Sequence, residues 1–260
     1  MIKKILIAIC IISIVSCDSS DDEGSRSNNN FNYLPLTVNN NWEYEVKTGT
    51  DRSTETLTVS SVTGNEYTCT SNPTTAVGFM TQVLTGGTLR AESGKLIGNG
   101  TIDFGLLGLN NFNVAITEGT LYDQNANPRT TLYSTNGTTS QTLQGFDINF
   151  NYEAKTVQQA NVSQMTVEGV TYTDVIHSQL IINATVTTEI NIVVTQQVPL
   201  LNSQDIIVID NYWAKDIGLI KSDNQLDYML EDFSSLGLSL PVPQSASILT
   251  EQSLTSFTVN

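Results

Sequence analysis

Three cysteines and a single histidine are the side chains of this 260-residue sequence best suited to covalent or acid–base chemistry. Cys10 lies inside an apolar run. Cys17 follows Ile14-Val15-Ser16, and Cys69 stands between Thr68 and Thr70. A thiol directly after a short apolar leader and a small residue is placed for modification where the leader is cut away. Removal of the leader takes Cys10 with it. Cys69 then stands alone, without an intrachain disulfide partner, and its setting is that of a buried strand residue. His177 cannot complete a Cys–His pair without a reactive thiol, and a three-His zinc site is impossible. Its neighbours on an alternating strand point it away from the core, towards solvent.

Other motifs dissolve on inspection. Asp103-Phe104-Gly105 spells a kinase tripeptide without the catalytic loop or the α/β setting. Gly98-Asn99-Gly100 reads as a turn, because no helix follows to receive a phosphate. Asp123-Gln124-Asn125-Ala126-Asn127 begins like a calcium loop. Pro128 then stands where glycine is required and Ser134 where the bidentate glutamate belongs. There is no Gly-x-Ser-x-Gly elbow. Carboxylates are plentiful, but no pair stands out for glycoside hydrolysis. Trp42, Trp213 and Tyr212 would make a sugar platform if exposed, and core or rim residues otherwise; the second reading is preferred. No catalytic residue, metal site or cofactor is expected.

The leader itself is informative. Lys3 and Lys4 precede an apolar run from Ile5 to Val15. The run is too short for a bilayer, which needs ~20 apolar residues, and fits the core of a secretory signal peptide. Ile14-Val15-Ser16-Cys17 resembles the bacterial lipobox. That resemblance implies diacylglyceryl transfer to the Cys17 thiol, cleavage before it, and acylation of the new amine. Ser20-Asp21-Asp22-Glu23 resembles the surface-export signal of Bacteroidetes lipoproteins. In proteobacterial lipoproteins an Asp after the Cys, here Asp18, would instead signal inner-membrane retention, and lineage decides between them. The expected organisation is therefore a signal peptide over 1–16, a lipidated Cys and acidic linker over 17–32, and one domain over 33–260. The linker has no apolar periodicity and is expected to be disordered. As a flexible coil it would hold the domain roughly 20 Å from the membrane.

Composition excludes some partners. The formal net charge is −15, and loss of Lys3 and Lys4 carries it to −17. No basic patch is present to displace counterions from nucleic acid. The partner implied is the bilayer, through acylated Cys17; a glycan, lipid or protein partner stays open.

The domain reads as mainly β. Trp42, Tyr44 and Val46 alternate with charged residues, as do Phe146, Ile148, Phe150 and Tyr152 with polar ones. Runs at Glu55 to Val62 and Glu66 to Thr70 join through Thr63-Gly64-Asn65. Leu96-Ile97 and Ile102-Phe104 flank Gly98-Asn99-Gly100, a hairpin signal. Val114 to Ile116, Leu121-Tyr122 and Thr130 to Tyr133 are shorter candidates. From Ile176 to Val198 the apolar residues share one parity, which puts one sheet face against a core. This is either a hairpin turning near Thr187-Thr188 or one long bent strand. Pro199 to Gln204 is expected to turn the chain into Asp205 to Trp213. A turn at Lys215 to Gly218 leads to a short strand at Leu219 to Lys221. Leu226, Met229, Leu230 and Phe233 have helical spacing, with Ser222 and Gln225 as a capping box and Gly237 as a stop, and predict one short helix. Ile248 to Val259 supplies the closing strands. The apolar run Phe104 to Leu109 could line a pocket or cover one end of the sheet; a cover is preferred.

Tyr33-Leu34-Pro35-Leu36 with Asn40-Asn41-Trp42-Glu43-Tyr44, and Trp213-Ala214-Lys215-Asp216-Ile217-Gly218-Leu219-Ile220-Lys221, resemble the opening and closing motifs of a family of uncharacterised Bacteroidetes outer-membrane lipoproteins. The resemblance implies a curved antiparallel sheet like the half-barrels of lipoprotein carriers, and it implies no enzyme. The expected fold class is mainly β, a curved antiparallel sheet or half-barrel/sandwich with at most one or two short helices.

The expected function is a membrane-anchored, surface-exposed lipoprotein in the outer membrane, with a non-catalytic binding or structural role. A carrier of lipid or hydrophobic cargo with a half-barrel cavity is the first alternative, and a glycoside hydrolase with an unidentified carboxylate pair the second. Protease added to intact cells should remove the protein. Alanines at Asp21, Asp22 and Glu23 should protect it while lipidation continues. A wild type that resists the protease removes the surface assignment.

Overall fold

The structure, a computed structural model, describes residues 32–103, 113–191, 195–232 and 243–260. Cys17, Ser20, Asp21, Asp22, Glu23 and the Phe104 to Leu109 run lie outside the described residues.

Three strands open the chain: β1 (Asn41–Thr48), β2 (Asp51–Thr63) and β3 (Glu66–Asn72). A short helix α1 (Phe79–Thr85) leads to β4 (Gly87–Glu92), β5 (Lys95–Asp103) and β6 (Asn113–Asp123). The second half comprises β7 (Thr131–Leu143), β8 (Phe146–Gln158), β9 (Val162–Val167), β10 (Val170–Asn191), β11 (Thr195–Ala214), β12 (Gly218–Met229) and β13 (Ser245–Thr258). All form one antiparallel sheet in the order β6-β5-β4-β3-β2-β1-β13-β12-β11-β10-β8-β7, with β9 paired to the start of β10. The expected curvature is carried almost to a closed barrel. The last strand lies between β1 and β12 and joins the two halves.

At the seam, β6 meets β7 and β8 through side chains. The Thr156 hydroxyl donates to the Thr120 carbonyl (2.5 Å), the Thr117 amide to the Tyr133 hydroxyl (3.4 Å), and the Asp123 amide to Gln158 Oε1 (3.2 Å).

Alternation builds the interior. On β10, Ile176, Leu180, Ile182, Ala184 and Val186 are buried, while Gln179, Asn183, Thr185 and Thr187 are half-buried on the outer face. Trp42, Trp213, Tyr44, Tyr122 and Phe150 are the largest fully buried side chains. Aromatic groups this large need an outlet for their polar atoms. Trp42 Nε1 donates to the Ile217 carbonyl (2.6 Å), Tyr44 to the Leu219 carbonyl (3.1 Å) and Trp213 Nε1 to Ser178 Oγ (3.1 Å).

Tyr33, Leu34, Pro35 and Leu36 are buried against this core, with the Tyr33 ring edge-on to Tyr122 at 5.9 Å. Asn40 fixes the segment: its amide donates to the Pro35 carbonyl (2.8 Å) and its Oδ1 accepts from the Asn260 amide (2.9 Å). Both chain ends of the folded unit are thus held at the same end of the barrel.

Several local expectations are corrected. The predicted helix after Ser222 is strand β12 as far as Met229; Phe233 and Gly237 lie outside the described residues. Its inward set is Ile220, Ser222, Asn224, Leu226 and Tyr228, with Met229 exposed. Polar Ser222 and Asn224 in the interior hid the period of two. Gly98-Asn99-Gly100 is not a hairpin but the middle of β5, as a Cβ on Gly98 would touch Leu89 and one on Gly100 would lie 2.4 Å from the Gly86 carbonyl. Close approach of the Gly86 backbone, not a turn, demands glycine at position 100. Val114 to Ile116 and Leu121-Tyr122 belong to one strand, β6. The run through Ile176 is one long strand to Asn191, with no turn at Thr187-Thr188. Pro199 to Gln204 continues β11, and three register shifts against β10 absorb the proline. Helix α1 had no counterpart in the sequence reading.

The inner face of β10 is the test of this arrangement. Ile182→Asp puts an unpaired charge among fully buried neighbours and should cost about 4 kcal/mol in denaturant unfolding. Thr185→Asp, on the outer face, should change stability by less than about 1 kcal/mol. Equal losses would overturn the face assignment.

Candidate functional site

The densest set of chemically capable side chains lies on the outer face, across six strands. Register places Gln179, Asp210, Asp223, Glu251, Lys47 and Arg52 in one row. The next row holds His177, Tyr212, Lys221, Ser253, Glu45 and Thr54. Three adjacent carboxylates facing one another would repel. Cations set between them remove the conflict. Lys221 Nζ lies 2.6 Å from Asp223 and 3.9 Å from Glu251, and Lys47 Nζ lies 3.3 Å from Glu251. His177 Nε2 lies 2.6 Å from Asp210 Oδ1, which also accepts from Gln179 Nε2 at 2.8 Å. The imidazole stacks on Tyr212 with centroids 4.5 Å apart and planes at 15°.

Partial burial alone would push the Asp210 carboxyl up. Hydrogen bonds from His177 and Gln179, then the charges of His177 and Lys221, outweigh it and hold the carboxyl below its ordinary value. The carboxylate occupies Nε2 and Tyr212 covers one ring face, so the imidazole is held in place from two sides. His177 does face outward, half-buried rather than free in solvent. Tyr212 shares its row, with one ring face already occupied by His177. Trp42 and Trp213 are core residues, so the three do not form a platform.

A second place is the seam. Leu89, Leu121, Ala154 and Leu180 line an apolar pocket there, and Gly98 and Gly119 leave it room. Its volume is about 30 Å³. That holds a water or two, against the hundreds of Å³ of a small-molecule site.

The third place is interior. Glu55 is 1% exposed, and its Oε2 accepts the Val77 and Gly78 amides at 2.6 and 3.0 Å. It thereby pins the approach to α1 inside the barrel. Gly78 leaves the side chains room: a Cβ there would lie 2.5 Å from both Glu55 Oε1 and Gln252 Oε1 and would push these side-chain ends aside. Gln252 Nε2 bonds the Thr81 hydroxyl at 2.8 Å. Glu55 Oε1 and Gln252 Oε1 are buried without a hydrogen-bond partner among the described residues. Sequence reasoning passed over Glu55, although its parity with Leu57 and Val59 marks it as inward.

Cys69 is buried on β3, and burial pushes its thiol up to about 12, so it is inert. The calcium-like stretch is a turn: Asp123 Oδ1 accepts the Asn125 amide at 2.9 Å, and Oδ2 faces Lys95 Nζ at 3.7 Å. Among the described residues no group of three His, Cys, Asp or Glu is placed to hold a metal ion. The bond to Asp210 should show in pH-dependent stability. A lowered folded-state value means the contribution is present above the unfolded value, near 4, and is lost as pH falls through the folded one. Asp210→Asn should therefore cost about 1 kcal/mol at pH 7. The difference from wild type should shrink steadily below about pH 4 in urea unfolding.

No family model matches the chain, and no curated protein matches it. Among solved structures, a crystal structure described as that of a "putative lipoprotein" from Parabacteroides distasonis ATCC 8503 is similar at 9% identity and a TM-score of 0.40, covering 88% of this chain and 99% of that one.

Proposed function

We propose that this protein is a lipid-anchored lipoprotein of the outer membrane, facing the cell exterior, whose barrel has a non-catalytic binding or structural role. The observation that carries the reading is Ile14-Val15-Ser16-Cys17 behind a short basic and apolar leader. Acyl chains at ~0.8 kcal/mol per buried CH₂ make a durable anchor. Ser20-Asp21-Asp22-Glu23 supports the outward destination.

The interior favours this reading over a carrier. Trp42, Trp213, Tyr44, Tyr122 and Phe150 occupy the barrel with full burial, and the seam pocket has no room for an acyl chain. The outer carboxylate row speaks against hydrolysis. Asp210, Asp223 and Glu251 are engaged by His177, Lys221 and Lys47 on the outer face of the sheet rather than standing free as an acid–base pair.

The anchor has a direct test. Cys17→Ala should abolish metabolic labelling by palmitate, with the chain still made. Labelling that persists sinks the anchored reading.

A further inference from the structure

We propose that the outer edge of β7 is a self-pairing surface, through which two copies of this chain join their sheets over residues 134–142. β7 ends the strand order, and one of its edges is laddered to β8 throughout. Near its start the other edge meets β6, at the Tyr133 hydroxyl. Beyond that point no strand among the described residues pairs with it, and its alternate amides and carbonyls face outward.

Native edges are blunted by charge, proline or bulges. The other terminal strand obeys this rule. β6 shifts register twice against β5, and Glu118 takes a left-handed φ of 56°. The Glu118 carboxyl is held at about 2 by bonds from Arg90 and Asn99. Over residues 134–142 β7 has none of these devices; its one register shift against β8 lies at its start, between Thr131 and Tyr133. From Thr131 to Leu143 it carries no charged residue and no proline. Its outward hydroxyls are drawn back onto β8: Ser134 to Glu153, Thr138 to Asn151, Ser140 to Asn149 and Thr142 to Asp147.

The stretch is also self-complementary. An antiparallel pairing with a two-fold axis at Thr138 sets that residue against itself. It then sets Gly137 against Thr139, Asn136 against Ser140, Thr135 against Gln141 and Ser134 against Thr142. Every pair is uncharged, and hydroxyl and amide pairs of this kind support a ladder. Outer faces stay on one side of the joined sheet, as a closed two-fold contact requires. The acidic character of the chain does not oppose it. Asp147 and Glu153 lie one strand back on β8, so their counterparts across the axis are three strand spacings away, ~14 Å. That exceeds the ~8 Å screening length of physiological salt.

Sedimentation of the full-length protein in nonionic detergent, with hydrogen exchange at the same concentrations, tests the pairing. A weak dimer should form as concentration rises, and amides of residues 134–142 should become protected in step. Thr138→Lys and Thr138→Glu each bring like charges together at the axis and should raise the dissociation constant about tenfold or more. An equimolar mixture of the two should dimerise again. Thr138 is exposed, so both variants should keep the wild-type circular dichroism spectrum and unfolding midpoint. A wild type that stays monomeric overturns the proposal, as do dimers unaffected by either substitution. So does protection of residues 134–142 that is independent of concentration, which would mean that the chain covers this edge itself.

Discussion

The pairing of β1 with β13 is the contact on which the barrel depends. Strands β2 to β6 are reached from one side of it, and β12 back to β7 from the other. Neither half alone can cover its inner face. β13 follows the other strands in sequence and lies between β1 and β12, so the sheet is continuous only when β13 is in place. Long-range pairing of this kind is paid for in loop-closure entropy before it is rewarded. The reward is concentrated nearby. Trp42 and Tyr44 on β1 reach the Ile217 and Leu219 carbonyls at the start of β12. Asn40 ties the entry of β1 to Asn260.

Around that junction the interior is not uniformly apolar. Ser178, Asn211, Ser222 and Gln252 follow one another across β10, β11, β12 and β13 in a single inward row, each nearly fully buried. Ser222 donates to Asn211, Trp213 to Ser178, and Gln252 bonds Thr81. These bonds offset much of the cost of burying polar groups, although Gln252 Oε1 has no partner among the described residues. The row carries polar contacts from the strands to α1, which Glu55 and Gly78 hold inside the barrel.

The antiparallel β architecture was legible because parity is a local property. The alternation through Ile176 and Ile182 needs no knowledge of partners, and neither does that of Trp42 and Tyr44. Reading failed where tertiary context inverted a local signal. Ser222 and Asn224 look like surface residues, and the apolar residues left beside them mimic a helix. Gly98 and Gly100 look like a turn, but both lie within a strand, and the Gly86 backbone requires the glycine at 100. Pro199 looks like a break, yet irregular register against β10 carries it within a strand. The outer row was half legible. His177 could be placed outside the core, but its bond to Asp210 depends on a register between strands that no spacing reveals.

The position of β1 also has a mechanical consequence. The chain enters the barrel through the Tyr33 to Asn40 segment and continues directly into a strand with neighbours on both sides. A pull on the N-terminal segment acts along β1. It loads two hydrogen-bonded ladders, to β2 and to β13, in shear, so that many bonds must yield together. A tether attached to an edge strand such as β7 would instead open one ladder bond by bond, like a zip. A load applied at the N-terminal segment would be spread across the middle of the sheet, where the same load on an edge strand would peel it.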